Sequence, residues 1–159
     1  SPIHLEKYLQ QELEGYNYTK KKNIFFLYDQ PPKPIFWKNT TWTEPKTISF
    51  KSIKDAANQL SKINAFWAYT PCHLHRRAQL IQSYLKPKAF SRLSFTENNK
   101  WVEQKVFEWT LVDEDKIVYC ESPSHSAPLG QCEFEEDKSN PPSRAYLKLW
   151  EIFTFHVPR

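Results

Sequence analysis

Arg144, Lys148 and Glu151 recur at helical spacing in the segment Pro141-Pro142-Ser143-Arg144-Ala145-Tyr146-Leu147-Lys148-Leu149-Trp150-Glu151-Ile152, where Ser143 is a natural helix cap after the paired prolines. On a helix this spacing stacks a guanidinium, an ammonium and a carboxylate along one face, a set able to hold a phosphate and steer a ribose hydroxyl. The same row is also the solvent face of an ordinary amphipathic helix whose Ala145, Leu149, Ile152 and Phe153 share the other face, and the pattern alone does not separate the two. A second group of cations, His73, His75, Arg76, Arg77, Lys86, Lys88 and Arg92, falls on a helix and the strand after it. Several cations on one surface suit an RNA phosphate footprint, although such rows are also common as solvated surface. Nearby Trp67 and Tyr69 are either base-stacking platforms or core residues, and their place in a strand favours the core.

Other chemistries find less support. Gly15 and Gly130 are the only glycines, so the chain has no Gly-x-Gly-x-x-Gly turn, no P-loop and no Asp-x-Gly-x-Pro-Gly-Gly turn. Nucleotide and methyl-donor sites of α/β enzymes need glycine where backbone meets the ligand, which excludes a self-contained enzyme of that kind. No Gly-x-Ser-x-Gly elbow exists, and Cys72 beside His73 lies at a helix start, where neighbours do not face each other. Glu133, Glu135 and Glu136 read as solvated surface rather than as a glycosidase pair. Cys72, His73, His75, Cys120 and Cys132 hold no Cys-x-x-Cys pair, so the three cysteines are expected as buried thiols in a reducing compartment, with no metal site.

These residues must be positioned by a folded chain. The 159 residues are 40% hydrophobic and 16% aromatic, enough for one sizeable core or two small ones. The net charge of +4 is unevenly spread, since residues 106–137 hold one cation against nine carboxylates and the flanking regions are basic. The acidic stretch, with Asp113-Glu114-Asp115 at its turn, is expected to face away from any polyanion. No run of apolar residues is long enough for a membrane span and no signal peptide is visible, which predicts a cytoplasmic protein without a membrane partner. The absence of methionine, even at position 1, suggests a fragment.

Periodicity predicts a helix over 4–14 stopped by Gly15, a strand over 24–28, extended pieces at 35–38 and 47–50, and a helix capped by Ser52 with Ile53, Ala56, Ala57, Leu60 and Ile63 inward. A strand over 64–70 leads through Pro71 to a helix over 73–85, closed by Pro87. Strands follow at 88–95, 107–112, 116–120 and 129–135, then a linker over 136–142 and a helix over 143–153. This order predicts an α+β fold with helices packed on mixed sheets.

Ser143-Arg144-Ala145-x-x-Lys148-Leu149-x-Glu151-Ile152 resembles the segment just ahead of the cofactor domain in FtsJ-type ribose methyltransferases, and residues 66–95 resemble the Arg-Arg helix region of the RlmM group of large-subunit rRNA methyltransferases. The resemblance covers 66–95 and 139–158, and the remainder only in layout. It implies an abbreviated ferredoxin-like lead sub-domain over 1–68, a THUMP-like RNA-binding sub-domain over 69–137, and a linker and first helix over 138–159 leading to an absent methyltransferase domain. It implies that Lys148 is the first member of a catalytic Lys-Asp-Lys-Glu set, that Ser143 and Arg144 brace it, and that Arg144 joins His73, His75, Arg76, Arg77, Lys86, Lys88 and Arg92 on structured large-subunit rRNA. S-adenosylmethionine would then be bound by the C-terminal domain of the same parent chain and not by these residues, so the fragment alone would be inactive. The rival expectation is a protein-interaction module with an aromatic docking surface; a standalone nuclease is a third.

Overall fold

The computed structural model describes residues 6–29, 35, 38, 40–87, 105–124, 133–136, 139 and 145–155. Its most regular helix shows how local chemistry sets the frame. Ser52, in extended conformation, accepts the Asp55 N–H on its Oγ at 3.1 Å and so caps α2 (Ile53–Ile63). The Asp55 carboxylate accepts the Lys51 N–H at 2.9 Å and the Gln59 side-chain amide at 3.2 Å. Ala56, Ala57 and Leu60 form the buried stripe. Asn64 closes the helix, and its Nδ2 donates to the Lys105 carbonyl at 2.8 Å, tying the helix end to the entry of the central strand.

Strands β3 (Lys46–Ser49), β4 (Trp67–Tyr69), β5 (Phe107–Asp113) and β6 (Lys116–Cys120) form a mixed sheet in the order β3-β6-β5-β4. The β5–β6 hairpin is antiparallel, β3 adds antiparallel to β6, and β4 runs parallel to β5. Consequently β3, β4 and β5 point the same way, and α2 and α3 (His75–Leu85), which link them in turn, both run back and lie parallel to each other. One face of the sheet, carrying Trp67, Phe107, Trp109, Leu111, Ile117 and Tyr119, packs with these two helices as the main core. Trp67 stands edge-on to Phe107 and Tyr119 at 5.4 and 5.7 Å between ring centroids, and its indole N–H is shared by the carbonyls of Asn64 and Leu60.

The opposite face is buried too, at Ala68, Glu108, Thr110, Val118 and Cys120. Beside it lie α1 (Glu6–Glu12) and the antiparallel hairpin of β1 (Tyr18–Lys21) and β2 (Ile24–Leu27). Gly15, at φ +88, turns the chain out of α1 in a conformation that L side chains resist. Lys21 pairs with Asp113 at 3.3 Å, Asn23 donates to the Pro71 carbonyl at 2.9 Å, and Trp42 donates its indole N–H to Glu108 Oε2 at 2.6 Å. The chain closes with α4 (Tyr146–Phe155), whose Trp150 packs on Phe134.

The fold is α+β, with four helices, a two-stranded antiparallel sheet, a mixed four-stranded sheet and a short C-terminal helix among the described residues. The boundary expected at residue 68 falls inside β4, and strands from both sides of it share one sheet. Expected strand 88–95 lies outside the described residues, as does most of 129–135, where Phe134 makes an isolated bridge. Strand β1 was not expected: it takes in Lys20 and Lys21, and Lys22, at φ 56, with Asn23 makes the turn to β2. No described helix is long and apolar enough to cross a membrane.

Candidate nucleic-acid interface

Helix α3 buries Ala78, Ile81 and Leu85 against the sheet, which turns Arg76, Gln79, Leu80, Ser83 and Tyr84 to solvent. His75 and Arg76 are exposed on its first turn, and Lys86 is exposed at its C-cap with a left-handed backbone. Arg77 differs: it is half-buried, its guanidinium lies over the Phe50 ring at 5.8 Å, and its Nε is shielded without a partner. Lys51, Lys54 and Lys62 add exposed cations from α2 and its approach. Residues 50–87 therefore carry six Lys and Arg against the single carboxylate of Asp55. None of the six is ion-paired with a described carboxylate; the three ion pairs, Lys20–Glu6, Lys21–Asp113 and Lys46–Glu121, lie elsewhere.

His73 does not join this face. It sits half-buried in the β4–α3 loop with its Nδ1 shielded, near enough to Asp113 to help depress that carboxyl. Asp113 is held below the usual carboxylate range chiefly by its hydrogen bond from Lys21. The acidic turn 113–115 stands at the end of the sheet where both helices begin, with the Asp115 carbonyl accepting the Phe50 N–H at 2.9 Å. A polyanion on the helical layer is thus directed along it, toward Lys62 and Lys86 at the helix ends.

Lys148 is exposed on α4, and Glu151 is half-buried. The inward side of α4 is made by Tyr146 and Trp150, with ring centroids 4.6 Å apart, rather than by the expected stripe: Leu149, Ile152 and Phe153 remain 54%, 47% and 49% exposed. Trp150 makes the contact with Phe134, and Tyr146 packs edge-on against Trp150. Lys88, Arg92 and Arg144 lie outside the described residues, so their relation to this surface is not part of the geometry. Trp67 is a core residue and no stacking platform, and Tyr69 packs half-buried against Trp109.

The remaining chemistry is structural. Cys72 and Cys120 are free and buried, and burial raises both thiols. They cannot share a metal, because Cys120 pairs with Glu108 at the start of β5 whereas Cys72 lies beyond the other end of the sheet, donating to the Lys21 carbonyl. No group of metal-ligating side chains occurs among the described residues. The one described glycine, Gly15, ends a helix and does not follow a strand. No family model, curated protein or solved structure matches the chain.

Proposed function

We propose that the chain is the RNA-holding amino-terminal part of an S-adenosylmethionine-dependent large-subunit rRNA ribose 2′-O-methyltransferase acting in the cytoplasm. The methyl donor and the rest of the catalytic set belong to a C-terminal domain of the parent. The observation that carries this reading is the helical layer with six cations, five of them exposed, against one carboxylate, and with no ion pair to a described carboxylate. Unpaired cations fixed on two parallel helices release counterions from a phosphate backbone, and shape suffices to hold folded RNA. Lys148 is exposed, and the resemblance of its segment assigns its ammonium to orienting the ribose hydroxyl.

Binding of a folded large-subunit rRNA fragment, measured over a salt series, tests the proposal. Arg76→Gln and Lys86→Gln are each expected to reduce the slope of log affinity against log salt by about 1. A salt-independent complex, or no complex at low salt, overturns it. The second reading, a protein-docking module, is favoured by the exposed Leu149, Ile152 and Phe153 of α4. In the proposed parent these side chains are where the methyltransferase domain would seat.

A further inference from the structure

Helix α3 leaves two large side chains in solvent, Leu80 at 45% and Tyr84 at 59% exposure. They stand four residues apart on the helix, so they are neighbours on successive turns, and the exposed Arg76 lies one turn before Leu80 on the same ridge. Tyr84 has neither a ring contact nor a hydrogen bond among the described residues. Tyr28, which is more exposed still, differs in sharing a hydrogen bond with the Thr19 hydroxyl at 3.2 Å. The place of Tyr84 in the charge pattern is what gives it a use. Because α2 and α3 run parallel, Lys62 and Ile63 at the end of α2 stand at the same end of the layer as Tyr84 and Lys86, and Ile63 is also exposed there. The acidic turn 113–115 closes the other end. An anionic chain laid along the layer is drawn toward the end where an uncommitted aromatic ring lies two residues from an exposed ammonium.

We propose that Tyr84 is a stacking platform for an unpaired base, with Leu80 beside it and Arg76, Lys62 and Lys86 serving the adjoining phosphates. The ligand selected is then folded RNA with a bulged or looped-out nucleotide, in preference to an uninterrupted duplex. This inference rests on the RNA reading and goes beyond it to the kind of RNA that is chosen. In a continuous duplex each base face is covered by its neighbours in the stack, so a ring on the protein surface finds none to meet. A bulged nucleotide presents a free face, and a ring already in solvent can cover it without rearrangement of the helix. Every base has such a face, so the ring selects RNA by shape and not by letter. Charge decides for RNA over a protein partner at this end of the layer, since Lys62, Arg76 and Lys86 are exposed and without a described carboxylate partner.

Two long RNA duplexes, identical except for a bulged adenosine in one, test the inference when each is titrated over a salt series. The chain is expected to prefer the bulged duplex about tenfold. Tyr84→Ala is expected to abolish that preference and to leave both the affinity for the continuous duplex and the salt slope unchanged, because tyrosine neutralises no phosphate. Tyr84→Phe keeps the ring and should keep the preference, whereas Tyr84→Leu keeps apolar area without the ring and should lose it. Equal affinity for the two duplexes, or a preference that survives Tyr84→Ala, overturns the inference while salt-dependent binding leaves the RNA reading standing. A preference retained in Tyr84→Leu also overturns it, because apolar contact rather than stacking then suffices. Absence of salt-dependent binding to either duplex overturns the RNA reading itself and this inference with it.

Discussion

Trp42 and Glu108 meet through one 2.6 Å hydrogen bond although they stand far apart in the chain, and Glu108 is fully buried on the back of the sheet. Removing the donor with Trp42→Phe keeps an aromatic ring but withdraws a hydrogen bond from a buried carboxyl, and is expected to cost about 2 kcal/mol, read from the urea midpoint. Two other carboxyls give the pH response. Asp55 is held below its ordinary range first by the Lys51 N–H, and Asp113 first by Lys21. A group whose folded pKa is depressed contributes stability above its unfolded value, about 4 for aspartate, and that contribution disappears as pH falls through the folded value. Stability should therefore decline on acidification below about pH 4, and Asp55→Asn with Asp113→Asn should flatten the decline. Salt separates the pair: the exposed Lys21–Asp113 share is expected to fade in about 1 M salt, while the share that Asp55 draws from a backbone amide persists. Arg76 was legible as a surface cation from helical spacing alone. The half-buried seat of Arg77 on Phe50 was not, because nothing local relates residue 50 to residue 77.

Helix α2 is the element most completely written in its own residues, with a capping hydroxyl, an acidic first turn and an apolar stripe that is buried through Leu60, although Ile63, expected inward, is exposed at the helix end. Ser52→Ala is expected to lower stability by about 1 kcal/mol, measured by thermal or urea unfolding, with the far-ultraviolet spectrum retained. The β5–β6 hairpin was equally readable, since its apolar runs flank an acidic turn. β1 escaped notice because Thr19, Lys20 and Lys21 lack an apolar alternation and because its turn uses Lys22 where Asn or Gly would have been the signal. α4 was found but its inward side was misassigned: the contact with Phe134 is made by Trp150, with Tyr146 packed against it, and not by the aliphatic stripe.

At the scale of the molecule, charge is sorted by position. The helical layer is basic along its length, and the acidic turn 113–115 closes the end where both helices start. Chemical footprinting of lysines in the complex with RNA is expected to protect Lys54, Lys62 and Lys86 and to leave Lys116, beside the acidic turn, reactive; protection of Lys116 with exposure of the other three would reverse the proposed orientation. The strand order behind this sorting was beyond local reading, because β3 finds its partner β6 only about seventy residues later, at Lys46↔Tyr119. A ribosome adding about 5–20 residues per second would leave β3 without its neighbour for several seconds after emergence. During that interval the nascent chain has an open ladder position, and chaperones that bind nascent chains or a premature strand exchange with another nascent copy would compete for it.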